Sequence, residues 1–363
     1  MKNTTHFAGA PEGNAIVFCE GAFALTYGKT AHGLVRFTRR YNVLSVIDST
    51  CAGRDAAELL DGTPKGIPIL ADLTAAVTEA RGRGSPATHM VVGVATDGGV
   101  LDNAARNAVA QAVGLGLNVD SGLHQFVADI PDIAALAAEK GVVLRDIRKT
   151  GSRDRLHAFT GRIEDVTSTR IAVLGTDSAI GKRTTAWILV DALGRAGHRA
   201  ELIGTGQTAW LQGARYSIVL DSLINDFVAG ELENVVWTAW KETGARALVV
   251  EGQGSLLNPA YPGGFEILAA TRPHAVILQH APFRREYDGF PGYPLDPLSR
   301  QIEAIQLVSR KPVVAITINH EGIDRGRIEE TVAQITRETG LPACDPIWQS
   351  AEPVVRALAP YLA

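Results

Sequence analysis

The chain has 363 residues, of which 46% are hydrophobic and 20% charged, and it carries a formal net charge of −4. That length suits two domains, and the composition is far from a disordered one. The small acidic excess gives no basis for binding nucleic acid or an anionic membrane, and no run of about 18 apolar residues escapes charge or Gly/Pro punctuation, so no spanning helix is expected.

The opening stretch MKNTTHFAGAPEG has one lysine and no apolar centre, so no secretory signal is read there. Asn14 to Phe18 and Tyr41 to Asp48 are predicted strands. His89 to Ala95 is a third, followed by a predicted helix over Asn103 to Val113. Leu117 to Leu123 reads as a short strand running into a loop. Ile133 to Lys140 reads as an Ala-rich helix ending at Gly141, where a C-cap glycine belongs, and Val142 to Arg148 as another strand. Strands alternating with helices imply βαβ units and a parallel sheet. Lys149 to Val166 is polar and without period, so it reads as a linker. That places one domain at 1–165 and a second at 166–363.

The second half restarts with RIAVLGTD, a strand entering a glycine turn, and then a helix over Thr184 to Gly194. Arg199 to Thr208, Ala247 to Leu256, His274 to Pro282 and Pro312 to His320 repeat the strand-then-loop pattern. From Ile328 onward, helical pattern alternates with Pro. Cys19, Cys51 and Cys344 lie far apart and match no metal spacing, which fits reduced thiols in a cytoplasmic protein. No metal ligand set is assigned.

The strongest signal is GTDSAIGKRTT, comprising Gly175, Thr176, Asp177, Ser178, Ala179, Ile180, Gly181, Lys182, Arg183, Thr184 and Thr185. It lies between an apolar strand and a helix, the setting a phosphate-binding loop needs. Backbone N–H groups and a helix N-terminus offer partial positive charge to an anion, and glycines let the backbone come close to phosphate oxygens. Lys182 adds a full charge. The loop departs from the common pattern in two ways: it has one extra residue between its glycines, and Arg183 stands where a Ser or Thr hydroxyl normally meets Mg²⁺. Such a loop is better suited to holding phosphates than to splitting them.

Other candidates lie in strand-end loops, where open parallel sheets bind ligands. Lys29 and Thr30 fall in the turn Tyr27 to Gly33, which reads either as a binding loop or as a polar turn with a glycine-capped helix. Asp48 ends a strand where dinucleotide folds place a ribose-binding acid, but GAFALTYGK is no glycine fingerprint, so NAD is not expected. Thr96 to Gly99 reads as a turn. His124 follows Ser121 and Gly122 just past a strand end, as a general base or a loop histidine. Asp146 and Arg148, two apart on a predicted strand, share a face and either pair or serve a site. Glu251, with Gln253 and Gly254, closes a strand expected beside the phosphate loop. Arg284 and Arg285 precede the Pro/Gly-rich stretch Gly289 to Pro297, built as lids often are; a solvated surface pair is the alternative.

Two resemblances follow from these motifs. The GTD-type loop with VVEGQGS (Val249 to Ser255) resembles the dethiobiotin synthetase and cobyric acid synthase group, and that likeness implies a Mg²⁺-ligand role for Glu251, with Asp177 nearby. A longer one takes in YGKTAHGLVR, VIDSTCAGRDA, GLNVDSGLH, GTDSAIGKRTT and VVEGQGSL. Together these resemble a family long known only as one of unknown function and now typified by the D-glutamate N-acetyltransferase of the DgcN type. The resemblance implies a Rossmann-like N-terminal domain, a P-loop C-terminal domain, and acetyl transfer from acetyl-CoA to a D-amino acid, with D-glutamate the typical acceptor.

For that chemistry the candidate catalytic residues are Lys29, His124, Asp146 and Glu251. Gly175 to Thr185, with Gln253 and Gly254, would hold the donor's phosphates; Thr30, Asp48, Ser121, Gly122 and Arg148 would face the acceptor. The competing reading is an ATP/Mg-dependent kinase or ligase of the dethiobiotin synthetase type, and a third is a nucleotide or CoA sensor without catalysis. A small-molecule D-amino acid is the expected partner, and the apolar strands leave room for a homo-oligomer.

Overall fold

The computed structural model describes residues 10–362. The reading of the N-terminal stretch falls largely outside them. Within the described residues the chain forms two compact units. One runs to Gly151 and takes in Gln207–Ala214; the other holds Ser152–Gly206 and the chain from Arg215 onward.

The first unit is a six-stranded sheet of β1 (Gly13–Phe18), β2 (Tyr41–Ile47), β3 (Ile69–Leu70), β4 (His89–Val92), β5 (Asn118–Ser121) and β6 (Leu144–Asp146). The order is β3-β2-β1-β4-β5-β6, and every pairing is parallel. This is the Rossmann arrangement, with its switch point between β1 and β4. The helices are α1 (Lys29–Arg36), α2 (Ala56–Asp61), α3 (Leu73–Gly82), α4 (Asn103–Gly114) and α5 (Pro131–Lys140). Asp55, Asp72 and Asp102 cap α2, α3 and α4 by accepting first-turn N–H groups, and Gly141 ends α5 at φ 64°. Ile16, Val17, Met90, Val91, Val109 and Val113 form its dry centre. Two departures from sequence expectation are local. The strand expected over 142–148 pairs only at Leu144–Asp146, because β6 is an edge and the chain turns where Lys149 N–H donates to the Asp146 carbonyl. Helices α2 and α3 lie outside the predicted elements; α2 has six residues, too few to show a period.

The second unit is a seven-stranded sheet of β7 (Thr169–Gly175), β8 (Ala200–Gly204), β9 (Tyr216–Ser217), β10 (Ala247–Glu251), β11 (Ala275–His280), β12 (Val313–Ile318) and β13 (Ala343–Cys344). Its order is β13-β12-β11-β7-β10-β8-β9, again parallel throughout. The helices of this half are α6 (Lys182–Arg195), α7 (Gln207–Leu211), α8 (Asn225–Thr243), α9 (Gly264–Thr271), α10 (Leu298–Ser309), α11 (Ile328–Thr339) and α12 (Glu352–Leu362). Of these, α7 packs with the first unit: Gln212 donates to the carbonyls of Gly33 and Phe37, and Arg40 lies 3.6 Å over the Trp210 ring. The segment read as a linker is partly built into the second core. Thr160 N–H, Thr160 Oγ1 and Ile163 N–H all donate to the buried Glu233 of α8, and Ile163 is fully buried. Among the described residues no helix is long and apolar enough to cross a membrane.

Candidate phosphate site

Strand β7 is buried along its whole length and lies between β10 and β11, so its terminal loop opens among the ends of three neighbouring strands. Ala179 and Gly181 take left-handed backbone, φ 52° and 98°, and α6 starts directly after. Turns of this kind gather N–H groups onto one concave side. A Cβ on Gly175 would stand 2.8 Å from Lys182 Cδ and 2.9 Å from Ile180 Cδ1, so glycine there makes room for the lysine stem. Lys182 is 7% exposed and its Nζ donates to the Asp177 carbonyl at 2.6 Å, closing the loop on itself.

Asp177 is fully buried and saturated. Its Oδ1 accepts from Asn258 Nδ2 at 2.9 Å and Ser178 N–H at 2.7 Å; its Oδ2 accepts from Arg284 Nη1 and Asp288 N–H, both at 2.9 Å. Arg284 also donates to the Ser178 carbonyl and pairs with Glu321. Arg284 is therefore an internal tie, and the surface-pair alternative does not hold for it. The Pro/Gly-rich stretch beyond it is pinned at Asp288 and by a bridge between Glu286 and Pro294.

Glu251, at the end of β10, is 4% exposed. Its Oε2 accepts Thr205 N–H at 2.9 Å, while Thr205 Oγ1 donates to the Glu251 carbonyl and accepts from Gln253 Nε2. Burial pushes its carboxyl above the usual range, against the opposing pull of Arg183, Lys182 and the N–H groups of Thr205 and Gly206. Gly254, at φ 48°, has no space for a Cβ because the Tyr261 carbonyl occupies it.

Polar side chains from β11 and β12 complete the surroundings. Thr185 Oγ1 donates to Gln279 Oε1 at 2.6 Å, so this hydroxyl turns into the sheet. Asn319 Nδ2 donates to the Ile180 carbonyl at 2.9 Å. His280 Nδ1 lies 3.0 Å from Thr176 Oγ1, and burial pushes its pKa down to about 4. A histidine depressed in the fold stays neutral while the unfolded chain takes up a proton. Its stabilising share is present above pH about 6.5 and drains away between 6.5 and 4, by up to about 3 kcal/mol. Melting midpoints recorded from pH 7 to pH 4.5 should fall less steeply in His280→Gln than in the native protein; parallel curves would contradict this assignment.

The sequence-predicted residues of the first unit are distributed as follows. Thr30 is buried with its hydroxyl 3.1 Å from that of Thr208 in α7. Gly122 lies against the same helix, where a Cβ would come 2.7 Å from Gln207 Cγ, and its carbonyl accepts from Arg148 Nε at 2.6 Å. Ser121 Oγ accepts Leu123 N–H. Asp48 is buried and accepts from Phe23 N–H, Thr50 N–H and Thr50 Oγ1. Asp146 accepts from Val127 N–H and Ala128 N–H, and burial raises its carboxyl against those donors. Asp146 and Arg148 thus hold different partners. Lys29 and His124 are exposed, the latter over Gly99. Thr30, Gly122 and Arg148 come together around α7; Glu251, Gln253 and Gly254 gather with the loop residues in the second unit.

Sequence reasoning missed Asn258, Gln279, His280 and Asn319. It also missed a His320–Asp345 pair, with Nδ1 to Oδ2 at 2.7 Å and the imidazole stacked 3.7 Å from the Trp348 ring. The signal was present for four of these: Gln279-His280 and Asn319-His320 each close an apolar strand, where ligand-facing groups collect.

A Rossmann-ordered sheet together with a glycine loop feeding α6 defines a two-domain α/β protein carrying a P-loop. The chain belongs to the DUF1611 family: residues 157–355 match the domain of unknown function (DUF1611_C) P-loop domain, and residues 49–150 match the DUF1611_N Rossmann-like domain. The crystal structure of a DUF1611 family protein from Anabaena variabilis, at 2.30 Å resolution, is similar over 96% of this chain and 99% of that one, with TM-score 0.87 and 28% identity. Two curated relatives carry the name D-glutamate N-acetyltransferase. The protein from Tritonibacter scottomollicae is 29% identical over 75% of this chain and 81% of its own length. That from a Pseudoalteromonas species is 28% identical over the same shares.

Proposed function

We propose that this chain is an N-acetyltransferase that carries the acetyl group of acetyl-CoA to the amino group of a D-amino acid, D-glutamate foremost. The observation that carries this reading is a P-loop with Lys182 and Arg183 side by side and no hydroxyl at the position after the lysine. Such a loop holds phosphates by N–H groups and cations. Coenzyme A offers a pyrophosphate and a 3′-phosphate to it. The two relatives that bear the acetyltransferase name support the reaction class.

In the reaction the substrate ammonium first loses a proton to a base. The amine nitrogen then bonds to the thioester carbonyl carbon, the C–S bond breaks, and coenzyme A leaves as a thiolate that is protonated to the thiol. The amide nitrogen releases its extra proton as the intermediate collapses. The thioester lies at the far end of the pantetheine arm from the phosphates. Lys182 and the loop around it therefore hold the donor, and the base falls to a group such as His124 or Lys29, since Asp146 already accepts from two backbone N–H groups. Arg148, whose guanidinium carries a permanent charge, suits a substrate carboxylate.

The ATP/Mg reading keeps one observation in its favour, a buried carboxylate, Glu251, at the strand end beside the loop strand. Against it, Asp177 would have to release Arg284, and Thr185 would have to release Gln279. The deciding experiment mixes purified protein with acetyl-CoA and D-glutamate, free of ATP and metal, and follows thiol release. Release that depends on D-glutamate is the expected result. Silence with every D-amino acid tried, alongside Mg²⁺-dependent ATP turnover, would replace this proposal with the second reading.

A further inference from the structure

Gln279, the last but one residue of β11, is 2% exposed and lies on the strand next to the loop strand. Its Oε1 accepts two hydroxyls, Thr185 Oγ1 of α6 at 2.6 Å and Thr317 Oγ1 of β12 at 2.5 Å. With both lone pairs of Oε1 engaged, the plane of the carboxamide is fixed and Nε2 points away from the two threonines. Nε2 makes no hydrogen bond among the described residues, and it stands 3.8 Å from where a Cβ on Gly181 would sit. Asn319 Nδ2 stands 3.7 Å from the same point but already donates to the Ile180 carbonyl. Gly181 caps α6, the end at which backbone N–H groups and the helix dipole favour an anion. Gln279 Nε2 is not one of the fully enclosed unpaired atoms, so this otherwise buried side chain reaches solvent at its donor end, where a ligand oxygen can take the place of water.

From this we infer that Gln279 Nε2 is a fixed hydrogen-bond donor to the phosphate held at the start of α6, and that Thr185 and Thr317 are the positioning residues that aim it. The inference rests on the reading of this loop as a phosphate holder. It also gives Thr185 a task other than meeting a metal: its hydroxyl orients the amide.

The test is calorimetric titration of the full chain with CoA and, separately, with inorganic pyrophosphate. Gln279→Glu keeps an acceptor for both threonines and replaces the donor with a negative oxygen. It should weaken both ligands about tenfold or more, since a hydrogen bond to a charged group is lost and a repulsion gained. Gln279→Met should weaken both by about tenfold, and Thr317→Val by less, because Thr185 still holds Oε1. Melting midpoints near the native value would show that the fold is intact, and should Gln279→Glu fail to fold, Gln279→Met carries the decision. If both Gln279 variants bind like the native chain while Lys182→Ala does not bind, the amide is no ligand contact and the phosphate reading stands without it. Weakening of CoA but not of pyrophosphate would also overturn the inference, by placing the amide on another part of the molecule. If the native chain binds neither probe, the phosphate reading and this inference fall together.

Discussion

Replacing Arg284 with leucine is expected to cost the second unit about 3–5 kcal/mol of stability and to loosen the phosphate loop. The arginine side chain is 10% exposed and its partner Asp177 is 0% exposed, so little solvent is at hand to take over the carboxylate. Leucine would fill the volume but leave a buried charge without its cation. Asn258 Nδ2 and the N–H groups of Ser178 and Asp288 would remain on Asp177, which argues for the lower end of the range. The Ser178 carbonyl would lose its donor as well, and Ser178 belongs to the loop itself. The double variant Arg284→Leu with Asp177→Asn should recover part of the loss, because the uncompensated charge is gone. Urea unfolding of the native chain, both single variants and the double variant measures the cycle. A loss under about 1 kcal/mol for Arg284→Leu would mean that the pair behaves as a surface contact.

Lys182→Ala is expected to raise KM for acetyl-CoA by roughly a hundredfold to a thousandfold with kcat nearly unchanged. Lysine to phosphate is a charge-assisted contact worth about 1.5–3 kcal/mol per hydrogen bond, and two such bonds near the lower end of that span, about 3–4 kcal/mol together, give that range. The split between KM and kcat follows from distance: the phosphates are remote from the reacting thioester, so this contact is equally strong in the ground state and the transition state. In the described structure Nζ lies on the Asp177 carbonyl, so alanine also removes a loop closure, and a modest loss of stability is expected beside the kinetic effect. Lys182→Arg should not restore binding, because the stem lies in the narrow space that Gly175 leaves and a guanidinium is broader than an ammonium. Thiol release followed across acetyl-CoA concentrations decides the matter. A fall in kcat at constant KM would place Lys182 at the reacting centre and overturn the division of labour proposed here.

Both sheets, and the loop with its helix, were readable because their signals are local. A parallel strand buried on both faces is a continuous apolar run, and IAVL, LVV, VIL and VVAI each announce one. Gly181 of GTDSAIGKRTT marks a left-handed turn directly before the lysine it serves. Gly141 marks the end of α5 for the same reason. Short elements such as α2 and β3 carry no such period and passed unread.

What each polar side chain does was not local. Asp146 looked like a base from its strand position, yet it caps a turn some twenty residues away in the chain, at Val127 and Ala128. Asp177 and Arg284 are more than a hundred residues apart in the chain, and only the sheet order, which sets β11 beside β7, brings them together. The same order puts Thr185, Gln279 and Thr317 into one hydrogen-bonded group. The placement of Gln207–Ala214 with the first unit had no sequence signal at all, since it depends on Gln212 and Trp210 finding partners at Gly33, Phe37 and Arg40. The sequence by itself determined the fold class, the phosphate loop and its lack of the usual metal hydroxyl, because chain neighbours make those features. The tertiary structure alone decided which carboxylates are spent on the protein's own N–H groups and which amide is left to face the loop, because hydrogen bonds are made between neighbours in space.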